Sequence, residues 1–224
     1  MQFCMDMPIK RMNHKELTTA HDWVNKHFTF IDNHKNYSYS DILVFAEKVL
    51  KYEGLDGVLI DPYNALRIDM SAHRGISTHE YHYEAASEFL TFSTSRDIAV
   101  WLNMHAVTEA QRRKGDDGLP VAPYAEDTEG GGKFVNRADC FLTVHRKVQA
   151  REPNIKKMSE LHVRKVRDVE TGGGPTIIDD PYLLLMNLSH TGFTNMTGTK
   201  RLFHPINFVG KQSKIPYGGY TKEN

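Results

Sequence analysis

The sequence is poor in cysteine. Cys4 and Cys140 are its two thiols, far apart and without a CxxC pair. That excludes a disulfide framework and the paired-cysteine zinc sites. Both sit among apolar neighbours in sequence, which predicts reduced core thiols in a cytosolic protein. An excess of charge of one sign is also lacking. Lys plus Arg and Asp plus Glu number 28 each, so global charge points to no polyanion, and any nucleic-acid surface must come from local clustering. No apolar run is long enough to span a bilayer and no signal peptide opens the chain, which predicts a soluble intracellular protein without membrane contact. No segment repeats. A phosphate-cradling Gly-x-x-x-x-Gly-Lys-Ser/Thr loop is missing as well. The nearest stretch, Glu129-Gly130-Gly131-Gly132-Lys133-Phe134, puts Phe where a hydroxyl should meet Mg²⁺, lacks the earlier Gly and has no strand before it.

What is present is an alternation of short apolar runs and amphipathic segments in 224 residues, enough for one substantial domain. Gly57-Val58-Leu59-Ile60 ends abruptly in Asp61-Pro62-Tyr63-Asn64. The run is short and β-branched, so it reads as a buried parallel strand. Asp61 then stands at the carboxyl end of that strand, where open α/β sheets place ligands. One acid there suits Mg²⁺, which takes few carboxylates and completes its shell with water and phosphate oxygens. This is the form of a Walker B strand. The alternative is an acid that caps the next turn.

Met1 to Met7 reads as a strand end, and an α/β domain seldom begins in mid-sheet, which predicts a piece of a larger protein. Residues 15–27 read as a helix with Leu17, Ala20, Trp23 and Val24 at helical spacing, followed by a short strand over 27–31. Ser38 to Lys51 is the clearest helix, with Ser40 as N-cap and an apolar face of Ile42, Leu43, Phe45, Ala46, Val49 and Leu50. A second helix is expected over 79–96, burying Ala85, Ala86, Phe89, Leu90 and Phe92, and a buried strand over 98–102 ends at Asn103-Met104-His105. The stretch 108–132 is rich in Gly, Pro and charge and carries no convincing element, a length that marks functional or disordered loops. Strands follow over 140–144 and 161–166, a glycine-rich turn over 168–175, and a closing hairpin of 182–188 with 192–196. His79-Glu80-Tyr81-His82 lacks the four-residue histidine spacing of a zinc-protease helix, and both histidines read as solvated. The pattern describes an α/β sheet with antiparallel strands at its C-terminal end.

Four features fall in one order: a strand-end acid (Asp61), a strand-end His (His105), a glycine-basic loop (Gly130, Gly131, Gly132, Lys133) and a strand ending in Lys-x-Arg (Lys165, Arg167). Up to about Thr176 this order resembles the RecA-like P-loop NTPase domain of the DnaB-type replicative helicases, a group that includes the phage primase-helicases and Twinkle. The match is to the part after the Walker A helix, so the core is partial. The resemblance implies residues 1–200 as that domain, with 201–224 an irregular tail. It implies that Asp61 holds Mg²⁺ through water. Cys4-Met5-Asp6-Met7-Pro8 looks like the strand end that carries the family's catalytic Glu, which puts Asp6 in that place with a side chain one methylene shorter. It implies that His105 senses the γ-phosphate, and that Gly130 to Lys133 bind single-stranded DNA. Glu129 departs from relatives that place an Arg there.

Lys165 and Arg167, two apart on a strand, project from the same face, and the resemblance implies that they reach a neighbouring subunit's nucleotide. At each position a plain structural role is the alternative: a capping acid, a hydrogen-bonded His, a solvated loop, exposed strand cations. The implied function is ATP- and Mg²⁺-dependent DNA unwinding in replication, by a hexameric ring translocating on single-stranded DNA. A primase domain or protein is a further implied partner, and the bacterial or phage-infected cytoplasm the implied setting. The rival is a non-catalytic RecA-like module that binds DNA or a partner without a P-loop.

Overall fold

The computed structural model describes residues 12–32, 35–69, 75, 77–177, 180–186 and 192–196. Asp6, Cys4, the strand expected before Pro8 and the tail after residue 200 lie outside them. The chain divides into two units, residues 31–184 and a second made of the flanking segments 1–30 and 185–224.

In the larger unit, helix α2 (Tyr39–Glu53) starts at Ser38 rather than at Ser40, because Ser38 and Asp41 form a reciprocal capping box. Helix α3 (Thr78–Arg96) starts with a second box between Ser77 and Glu80. Strands β1 (Gly57–Ile60) and β2 (Ala99–Leu102) pair in parallel, with Leu59 opposite Trp101 and Ile60 opposite Leu102. Ile60 and the inner faces of α2 and α3 enclose a core of Tyr39, Ile42, Tyr63, Tyr81, Ala85, Phe89 and Phe134, with Val58 and Leu102 against it. The expected burial holds for this face only. Leu59 is 69% and Trp101 60% exposed on the other, so a chain that reads as a fully buried strand is half-covered here.

Residues 108–132 do contain structure: one-turn helices at Thr108–Arg112 and Ala125–Asp127, and bridges joining Ala106 to Thr128 and Lys114 to Pro120. Short range and polar composition hide such elements from periodicity. Next come α4 (Gly132–Arg137) and β3 (Cys140–His145), then α5 (Pro153–Lys157) and β4 (Met158–Val166), which pairs antiparallel with β3. A one-turn helix, α6 (Val169–Gly172), fills the glycine-rich turn, and Gly173 leaves it at φ +75°. Cys140 is exposed rather than a core thiol, because it opens β3 on the outward side of the pleat.

The smaller unit holds helix α1 (His14–His27), capped by an Asn13–Glu16 box. No strand forms over 28–32. Phe28 and Phe30 are exposed there. Their rings stack on each other, and Phe28 also meets Trp23, instead of joining a ladder. The C-terminal antiparallel pair is present: β5 (Tyr182–Met186) meets β6 (Phe193–Thr194), with Leu185 opposite Thr194.

Candidate functional site

The carboxyl edge of β1 and β2 gathers four chemistry-bearing side chains. Asp61 leaves β1 at a cis peptide to Pro62 and is exposed. Asn103, leaving β2, donates from Nδ2 to Asp61 Oδ1 at 2.5 Å. The two strand ends are also tied by backbone: Asn103 N donates to Ile60 O at 2.9 Å and Tyr63 N to Asn103 O at 2.8 Å. This fixes the Asp61 carboxylate relative to the β2 end. Asp61 and His105, predicted from separate strands, are therefore brought to one edge.

Asn64 is the link the sequence reading missed. Its Oδ1 accepts from the His105 backbone N–H at 2.8 Å, and its Nδ2 donates to Glu129 Oε2 at 2.5 Å. One side chain thus joins the β1 end, the β2 end and the glycine loop. The imidazole of His105 is exposed. The available signal was a polar residue directly after a buried strand, at Asn64 and again at Asn103.

The glycine loop is packed rather than freely solvated. Gly130 has φ +78°, and a Cβ there would lie 2.9 Å from Phe134 Cε2 and 3.0 Å from His82 Cβ. Gly131, at φ +54°, donates to Thr128 O at 2.8 Å, and Lys133 N donates to Gly130 O at 3.2 Å. Two of the loop's amides are therefore engaged in the turn. Lys133 opens α4 and its ammonium lies 5.3 Å from the Tyr83 ring centre, with the Arg137 guanidinium at 4.7 Å.

His82 is not solvated, in contrast to its expected place; it is 4% exposed, whereas His79 is exposed. Its position on the inward face of α3 explains this. Tyr63 Oη and His82 Nδ1 are 2.8 Å apart. With the hydroxyl donating, the ring proton sits on Nε2, facing Glu129 Oε1 at 3.9 Å. Burial pushes the His82 imidazole below its ordinary value, partly opposed by Glu129, and pushes the Tyr63 phenol up.

Lys165 and Arg167 share a face of β4, as their spacing predicts, and both turn to the end of α4. Lys165 Nζ donates to Val135 O at 2.6 Å and to Asn136 O at 3.3 Å. Arg167 donates from Nη2 to Arg137 O at 2.8 Å and pairs through Nη1 with Asp139 at 2.7 Å. Among the described residues no three His, Cys, Asp or Glu side chains form a metal-holding group. Asp61 with its Asn103 neighbour fits an ion that takes one protein carboxylate and draws its other oxygens from phosphate and water.

No family model matches the chain. Twinkle homolog protein, chloroplastic/mitochondrial, of Arabidopsis thaliana is 28% identical over 179 residues, which are 78% of this chain and 23% of that protein. A solved helicase ATPase domain matches with a TM-score of 0.55 at 16% identity, covering 71% of this chain and 52% of its own. This chain thus spans about a quarter of the curated relative and half of the solved domain. The fold is that of a RecA-like ATPase domain. Within that class the chain is related to the DnaB-type helicases, the group that includes Twinkle. Among the described residues no helix is long and apolar enough to cross a membrane.

Proposed function

We propose that this chain is the part of a DnaB-like helicase ATPase domain that follows the Walker A helix, acting in an ATP-driven ring that translocates on single-stranded DNA and opens duplex. The observation that carries the reading is the convergence of Asp61, Asn64, His105 and Glu129 on the carboxyl edge of a parallel sheet. In this reading Asp61 holds Mg²⁺ through water, and His105 faces the γ-phosphate of a nucleotide in the same site. Bound Mg²⁺ would neutralise charge on the phosphates. Gly130 to Lys133 meet the DNA backbone, with Lys133 supplying a charge-assisted contact. Lys165 and Arg167 reach the nucleotide of the next subunit, and Asp6 takes the place of the catalytic acid.

A second reading, a RecA-like module that binds DNA or a partner without catalysis, is favoured by one observation. Lys165 and Arg167 are both engaged within their own chain. Single-stranded DNA binding separates neither reading, whereas turnover does. Asp61→Asn, placed in an assembly that supplies a Walker A loop, is expected to lose most ATP hydrolysis while keeping DNA binding. Unchanged hydrolysis would remove the helicase reading.

A further inference from the structure

α4 is six residues long, too short to persist on its own. Its start is fixed by Phe134, buried in the core, and by the close approach of Gly130 to α3. Its end exposes the carbonyls of Val135, Asn136 and Arg137, which have no further helical turn to serve. The four-residue span from Phe134 closes on Ala138 N at 2.8 Å. The next three carbonyls are all met by two side chains: Lys165 takes those of Val135 and Asn136, and Arg167 that of Arg137. Both positive charges sit at the negative end of the helix. Asp139 holds Arg167 there as its counter-charge.

We infer that Lys165 and Arg167 are positioning residues for the glycine–lysine loop, held on the last carbonyls of α4 whenever no neighbouring nucleotide takes them. This rests on the proposed DNA and finger roles and adds a constraint to them. A cation bonded to a carbonyl of α4 cannot at the same time clamp a phosphate on another subunit. Donating the pair across an interface removes the C-terminal cap of the helix that carries Lys133 in its first turn. Nucleotide at the interface and DNA at the loop therefore compete for one state of the same two side chains.

The test is amide hydrogen exchange on the 224-residue chain without nucleotide. In Lys165→Ala/Arg167→Ala, exchange at Ala138 and the other amides of the last turn of α4 should quicken at least roughly tenfold, the scale of lost hydrogen bonds to charged groups. Amides of α2 should stay protected. Unchanged exchange in α4 overturns the inference. If α2 also loses protection, Arg167→Met alone decides the matter by the same criterion at Ala138. Binding of a dT oligonucleotide adds the second readout: weaker in the double variant, restored in the charge-preserving Lys165→Arg/Arg167→Lys. Equal binding in all three also overturns the positioning role. Should the wild-type chain not bind dT at all, the DNA reading of the loop fails, and exchange alone decides the cap. ATP turnover does not enter, so failure of the finger role remains a separate result.

Discussion

At the scale of residues, Gly130 and His82 define each other. Gly130 comes so close to His82 and Phe134 that its missing Cβ is a packing requirement, and its φ of +78° suits no ordinary side chain. Gly130→Ala is expected to destabilise the chain by about 1–3 kcal/mol, the range of overpacked sites, measured as a lowered urea midpoint. A wild-type midpoint would show that the loop is loose after all. Tyr63→Phe removes the one hydroxyl that meets His82 Nδ1. It should cost about 1–3 kcal/mol, because a buried ring nitrogen is then left without a partner.

The pH dependence follows from the same burial. His82 and His162 both have imidazoles held below their ordinary value, chiefly by burial. The unfolded chain therefore takes up protons at a higher pH than the folded one. Their contribution to stability is complete above the ordinary imidazole value of about 6.5. It is lost as pH falls through that value toward the lower folded one. Urea midpoints should decline on acidification from about pH 7.5 to about pH 5.5, a window that brackets the imidazole value, and the decline should shrink in His82→Gln. An equal decline in that variant would assign the effect to other groups.

At the scale of elements, what was legible in the sequence is what periodicity carries. The faces of α2 and α3 and the parallel pair β1–β2 follow from apolar spacing. Asp61 and His105 at the edge follow from where the apolar runs stop. Three things were not legible. The 28–32 strand failed because Phe28 and Phe30 found aromatic partners in place of a ladder. The short elements of 108–137 depend on long-range contacts, such as Thr128 to Ala106 and Phe134 to the core. The Asn64 link joins residues 41 and 65 positions away, a distance no local pattern encodes. The glycine loop, legible as a motif, carries the prediction that belongs here. Lys133→Ala should weaken single-stranded DNA binding without lowering the urea midpoint, and should reduce the log–log salt slope by roughly 0.7. An unchanged affinity and slope would take the loop off the DNA path.

At the scale of the whole molecule, charge is balanced and no phosphate-cradling loop is present in these 224 residues. The chain alone is therefore expected to bind ATP weakly, since such a loop makes most phosphate contacts in this class. Titration with a fluorescent ATP analogue checks it, and micromolar affinity would reveal a further nucleotide site. The half-site at Asp61 and His105 and the cations of β4 lie at different places on the chain, and in the proposed ring they serve two different interfaces. Joined to a Walker A segment and assembled, Arg167→Ala should leave ATP binding nearly intact. It should lower turnover by roughly 10³ or more, the scale of arginines acting in trans on phosphoryl transfer. Mixing it with Asp61→Asn subunits should restore part of the rate, because some interfaces then pair an intact Arg167 with an intact Asp61. The most direct measurement is steady-state ATP hydrolysis by the homogeneous Arg167→Ala assembly: near-abolished turnover with retained ATP binding is the predicted result, and wild-type turnover would contradict the account.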